Sequence, residues 1–257
     1  MEKQSPDGTQ SGATRDAVCP EHGTYTAKLV FGTRWTGCFA CQAQRDEQAA
    51  EAERAEKNRR ALERQNARMA ESGLEPRFIK ATFENFSATS PKQVAARTAC
   101  RGFVDGLATG GSGGLWLVGP PGTGKTHLGS AMVNHVICEQ KAWAAIHSGR
   151  AIVRLLRAGW GARDSHQQEL ETLEKLASMS LLVIDEAGIG FGSDAEMVQL
   201  FDVIDLRYRK ELPTVVISNL AVKDLKPVLG DAAFDRLRED ATIVPCNWPS
   251  HRAEPRI

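Results

Sequence analysis

Five short apolar runs mark the chain beyond Pro76, at residues 115–118, 142–147, 181–185, 214–218 and 241–246. Most are separated by segments with helical spacing of apolar positions, at 125–140, 149–158, 167–179 and 194–210. A run that is apolar at nearly every position belongs to a strand covered on both faces. Such strands alternating with helices predict an α/β domain whose parallel sheet lies between two helical layers.

The first third is patterned differently. Residues 42–72 hold Ala, Glu, Arg, Gln and Lys without Gly or Pro, a composition that favours helix. Only Leu62 and Met69 are apolar and larger than Ala, so the predicted helix has little face to bury and reads as a solvated arm. Gly73 and Pro76 supply its stop signals. Residues 1–17 are polar and expected to be a disordered tail. The expected organisation is therefore a tail at 1–17, a cysteine-bearing module at 18–42, a helical arm at 43–75 and the sheet domain at 76–257.

Composition narrows the function classes. The 257 residues are 42% hydrophobic and 25% charged with zero net charge, so any nucleic-acid surface must be local. The chain shows no run of eighteen apolar residues and no apolar leader at its N-terminus, and a cytoplasmic location without membrane partners is expected. In a reducing compartment Cys100, Cys138 and Cys246 are expected to be buried core residues.

The strongest chemistry follows the first apolar run of the sheet domain. Gly119, Pro120, Pro121, Gly122, Thr123, Gly124, Lys125 and Thr126 fit G-x-x-x-x-G-K-[ST], with an apolar run before and a helical pattern after, and His127 comes next. Glycines let backbone amides turn inward on phosphate oxygens, and the helix start aims its dipole at the same anion. Lys125 is expected to reach the β- and γ-phosphates and Thr126 to bind Mg²⁺. The run 181–184 ends in Asp185 and Glu186, read respectively as a Mg²⁺ ligand and as the base for the attacking water. Asn219 closes the run 214–218, where it can approach the γ-phosphate or the water.

Two further constellations stand apart. Cys19-x-x-His22 and Cys38-x-x-Cys41 form two close pairs suited to a closed, structural Zn²⁺ site. Lys28, Arg34 and Trp35 between the pairs fit contact with nucleic acid, packing of the module or a protein partner equally well. Residues 149–163 carry Arg150, Arg154, Arg157, Trp160 and Arg163. The first three share a helical face opposite Ile152, Leu155 and Leu156, a candidate surface for single-stranded DNA.

Taken with Phe234-Asp235-Arg236-Leu237-Arg238 and the closing Asn247-Trp248-Pro249-Ser250-His251-Arg252, these motifs resemble the AAA+ helicase loaders of the DnaC type and the related IstB transposition helper ATPases. The resemblance covers residues 76–252, and the N-terminal module with its helix is similar to the phage and prophage branch. It implies an AAA+ P-loop NTPase domain with a five-stranded parallel sheet in the order 5-1-4-3-2. It also implies ATP bound between subunits of an open spiral, with Arg236 acting on the neighbour's γ-phosphate and Arg238 as a second candidate. The implied function is ATP-dependent loading of a replicative hexameric helicase onto single-stranded DNA, with an IstB-like action on target DNA as the alternative. The implied partners are the replicative DNA helicase, single-stranded DNA and further copies of the chain. Little sequence follows Cys246, so no helical lid is expected after the last strand, and Arg252 is the nearest stand-in for a sensing arginine.

Overall fold

The computed structural model describes residues 12–31, 33–158, 165–188 and 194–251. They fall into two compact units, residues 1–63 and 64–257.

In the first unit β1 (Thr14–Cys19) pairs antiparallel with β2 (Gly23–Val30), which pairs with β3 (Arg34–Trp35). The expected disordered tail is corrected here, because its last residues, from Thr14, form most of β1. A ladder of backbone hydrogen bonds orders them although their side chains are mostly exposed. Trp35 is covered by the Arg15 guanidinium, 4.4 Å from the ring centroid, so its face is partly occupied within the module. The long helix α1 (Phe39–Glu71) follows and has no buried residue, in keeping with its composition.

The last turns of α1 belong to the second unit, which corrects the expected boundary at 76. Met69 and Leu74 pack against the core of that unit. The Ser72 carbonyl accepts from the Ile146 amide at 2.8 Å, and Glu71 pairs with Lys175 at 2.9 Å. These contacts anchor the end of the helix to the sheet domain.

The second unit continues with α2 (Pro91–Leu107), β4 (Gly114–Val118), α3 (Lys125–Cys138), β5 (Ala144–Ser148), α4 (Gly149–Arg157) and α5 (Ser165–Ser178). Then come β6 (Leu181–Asp185), α6 (Asp194–Arg209), β7 (Thr214–Ser218), α7 (Val222–Leu229), α8 (Asp231–Arg238) and β8 (Ala241–Pro245). The five strands are parallel in the order β5-β6-β7-β4-β8, which read from the other edge is the expected 5-1-4-3-2. Residues of α2 and α3 build the core on one face, and residues of α4 to α8 build it on the other. Trp116 of β4 is fully buried, donates to the Leu237 carbonyl at 3.0 Å and meets Phe234 edge-on. These contacts fix α8 beneath the sheet.

Arg207 is also wholly buried. It donates to the carbonyls of Leu176, Met179 and Pro213 and to the Thr214 hydroxyl, joining the end of α5 to the start of β7. Burial lowers its guanidinium to about 9.

Candidate functional site

β4 lies between β7 and β8, so the chain reverses its direction of sheet growth at this strand. Ligands of open α/β sheets bind outside the carboxyl ends of strands at such a point. Residues 119–124 form the loop there and α3 begins at Lys125. No side chain caps the start of α3, where the helix dipole favours an anion. Gly122 and Gly124 have φ of +82° and +88°. A Cβ on Gly122 would lie 1.8 Å from Ser250 Oγ, and one on Gly124 would lie 2.7 Å from the Phe86 ring. The motif therefore needs glycine at both positions for conformation and for space.

Lys125 is buried and donates at 2.7 Å to the carbonyls of both Gly119 and Pro120. Its ammonium thus spans the loop. Thr123 donates to the Pro120 carbonyl at 3.0 Å, tightening the same turn. Asp185 ends β6 beside Thr126, whose side chain hydrogen-bonds its carboxylate, and Lys125 is close enough to act on its charge. Burial raises the Asp185 carboxyl above its ordinary value, opposed by the hydrogen bonds from Thr126 and from the Glu186 amide, the latter at 2.7 Å. A desolvated carboxylate beside a hydroxyl and an ammonium is a donor set that fits a divalent cation on a phosphate chain.

Glu186 is exposed with φ of +53°, and the following Ala187 amide donates to the Ile217 carbonyl at 2.9 Å. The turn after β6 is thereby tied to the end of β7, which carries Asn219. Lys125, Thr126, Asp185, Glu186 and Asn219 line one cleft with Arg77, Phe78, Pro121 and His251. The last four include residues that motif reasoning did not find, because they lie far from the loop in sequence. His127 points elsewhere: its Nε2 donates to the Thr82 carbonyl at 3.0 Å and its ring tilts against Phe86 at 5.6 Å. Its side chain anchors the segment before α2.

The residues after β8 cross the loop. Trp248 Nε1 donates to the Thr123 carbonyl and the His251 amide to the Gly122 carbonyl, both at 2.9 Å. Arg252 lies outside the described residues.

The cysteine–histidine pairs meet in the first unit. Cys19 Sγ lies 3.4 Å from Cys41 Sγ and 3.6 Å from His22 Nδ1, and Cys41 Sγ lies 3.3 Å from His22 Nδ1. The ligand atoms of Cys19, His22, Cys38 and Cys41 all lie within 4.8 Å of one another. Zn²⁺ with Zn–S bonds of about 2.3 Å holds tetrahedral ligands about 3.5–3.8 Å apart, so the cluster fits that ion. The tight β1–β2 turn supplies the first pair and the start of α1 the second. Hydrogen bonding to the His22 ring lowers the Cys19 thiol to about 6, and hydrogen bonding to Cys19 raises Cys41 to about 11.

The basic face of α4 is narrower than its spacing predicts. Arg150 and Arg154 are exposed, but Arg157 is half-buried and donates to Gln199 at 2.8 Å and Glu196 at 3.3 Å on α6. Val153, not Leu155, joins Ile152 and Leu156 in the core, and Leu155 is exposed. Trp160 and Arg163 lie outside the described residues. Arg236 lies on α8 and is absent from the cleft lining, with its guanidinium 4.5 Å from the Phe201 ring centroid and paired with Asp205. Arg238 is exposed, 5.8 Å from the Phe234 ring centroid.

A family model described as IstB-like ATP binding protein matches residues 40–256. The replicative helicase loader DnaC of Escherichia coli (strain K12) is 30% identical over 200 residues, covering 75% of this chain and 80% of that protein. The crystal structure of the DnaC helicase loader aligns with a TM-score of 0.58 at 22% identity, covering 66% of this chain and 99% of that one. AMPPCP-bound DnaA from Aquifex aeolicus aligns with a TM-score of 0.56 at 20% identity, covering 66% and 51%. The two solved structures bear on the fold alone. The family match extends through the loop, the acids and the segment after β8 that crosses the loop, and with the 30% identity to DnaC it places the chain in the IstB-like ATP-binding family, in its DnaC group.

Proposed function

We propose that this protein is an ATPase that loads a replicative hexameric helicase onto single-stranded DNA. The observation that carries the reading is the DnaC likeness across three-quarters of the chain, with Lys125, Thr126, Asp185, Glu186 and Asn219 gathered in one cleft. In this reading ATP lies along the loop, with Lys125 turning from the Gly119 and Pro120 carbonyls to the phosphates. Thr126 and Asp185 would hold Mg²⁺, which would neutralise charge developing on the phosphoryl oxygens. Glu186 orients the attacking water and accepts its proton, Asn219 contacts the γ-phosphate or that water, and Arg236 acts on the nucleotide of a neighbouring copy. Phe78 and His251 line the same cleft. Arg150 and Arg154 contribute charge toward a single strand.

Cys19, His22, Cys38 and Cys41 hold a structural Zn²⁺, whose binding free energy folds a module with few apolar side chains. Self-association through the nucleotide interfaces and work in the cytoplasm belong to the same reading.

The test is capture of the replicative helicase hexamer by the full chain, with and without ATP, followed by helicase transfer to single-stranded DNA. Nucleotide-dependent capture and transfer are expected. No helicase capture in either nucleotide state, together with capture of a transposase, overturns loading in favour of the IstB-like alternative.

A further inference from the structure

The surroundings of Arg236 hold more than a surface cation needs. Its Nη2 lies 2.8 Å from Asp205 Oδ1, and the other oxygen of Asp205 lies 2.8 Å from Arg209 Nη2. The guanidinium rests 4.5 Å from the centroid of Phe201, with Tyr208 at 5.8 Å. The Asp205 side chain is only 17% exposed and that of Arg236 30%. Arg236 Nη1 is buried and has no hydrogen-bond partner among the described residues.

A carboxylate at one end and an aromatic face beneath restrict a guanidinium to one rotamer. In that rotamer one terminal nitrogen is engaged by Asp205 and the other is shut away from solvent. Nη1 is thereby kept from any acceptor outside the protomer. A buried guanidinium nitrogen without an acceptor is also unfavourable, so the held state is incompletely satisfied. A triphosphate carried by a second copy of the chain offers several charged oxygens at once, enough to replace Asp205 and serve the orphaned nitrogen.

We propose that Asp205 is a positioning residue that parks Arg236 in the isolated protomer, and that docking of a second, nucleotide-bearing copy draws the arginine away. This rests on the reading of Arg236 as the arginine that acts in trans. Arg209 tempers the hold, because it shares the carboxylate and weakens its claim on Arg236. ATP turnover then depends on protein concentration through two linked steps, release of Arg236 and association. Removing the first step raises the competent fraction at every concentration.

The test follows ATP turnover of the full chain against its own concentration. Asp205→Asn is expected to reach half-maximal turnover at a concentration roughly two- to fivefold lower, the scale of one partly exposed ion pair. Arg209→Ala, on an exposed helix position, leaves Asp205 to Arg236 alone and is expected to shift the midpoint the other way. In an Arg236→Ala background the Asp205→Asn effect should vanish. A fall in turnover for Asp205→Asn at saturating concentration overturns the parking role, as does a gain that persists without Arg236. If Asp205→Asn does not fold, Arg209→Ala decides, and an unchanged midpoint overturns the proposal. Normal turnover of Arg236→Ala with loss in Arg238→Ala instead sinks the trans assignment itself, an outcome distinct from the others.

Discussion

The two units are held together by different means. In the first, the buried apolar or thiol side chains among the described residues are Cys19, Ala27 and Cys38, and two of these are prospective metal ligands. In the second, β4, β6 and β7 are buried almost throughout, with separate cores on the two faces of the sheet. One unit offers too little apolar area to fold without a cross-link, and the other has ample. On the proposed zinc reading the cysteine–histidine cluster of the first unit serves folding, whereas the proposed acids of the second serve chemistry.

Removing metal separates the units most sharply. A strong chelator, or Cys38→Ser, is expected to unfold the β1–β2 hairpin, with loss of free energy on the order of 10 kcal/mol for structural zinc. Amide exchange should become fast at 14–30 and stay slow in β4, β6 and β7; equal protection before and after chelation would remove the zinc reading. Next in size, Arg207→Ala should cost about 3–5 kcal/mol in the second unit, because three carbonyls and a hydroxyl lose a buried donor at once. Denaturant unfolding measures this, and a loss below about 1 kcal/mol would mean that water or a neighbour replaces it.

Effects on chemistry should leave the zinc content untouched. Lys125→Ala should abolish nucleotide binding, and Glu186→Gln should keep binding while lowering turnover about 100-fold. Normal hydrolysis by the latter reassigns the base. Asp185→Asn carries a sign that distinguishes site from scaffold. Burial raises this carboxyl, so its ionisation costs stability as pH rises through the ordinary carboxylate range, and the cost persists at neutral pH. The variant should therefore melt higher without nucleotide while losing turnover; a lower melting point would show that the Thr126 hydrogen bond outweighs burial.

The smallest effect comes from His147, whose ring is held below its ordinary value by burial and then by Lys175. The fold favours its neutral form, so stability is fully present above the usual imidazole value and declines as pH falls below it. His147→Gln should flatten that slope in melts taken across pH 5 to 7.

Much of this was legible in the sequence because buried parallel strands read as unbroken apolar runs. The runs at 115–118, 181–185 and 214–218 became β4, β6 and β7 almost residue for residue. The loop was legible because the spacing of its glycines, lysine and threonine is dictated by phosphate geometry, and the two acids because they close an apolar run. The strand order was not: hydrophobic pattern carries no neighbour information, and the order came with the family resemblance. β1 was missed because its side chains are mostly exposed and only its backbone is paired. α2 left a local signal that went unread, the Ser90–Gln93 capping box with Pro91 in the first turn. The pairings of Arg157 with Gln199 and Glu196, and of Arg236 with Asp205, join residues distant in sequence, so no local pattern announces them.

The backbone of Glu186 has a practical consequence. A left-handed conformation at a residue with a Cβ is unfavourable by roughly 1 kcal/mol relative to glycine. Glu186→Gly is therefore among the substitutions that a screen for thermostability alone would select. If Glu186 is the proposed base, a library sorted by heat resistance would enrich clones that look improved and have lost turnover, so selection on this scaffold should score phosphate release alongside melting.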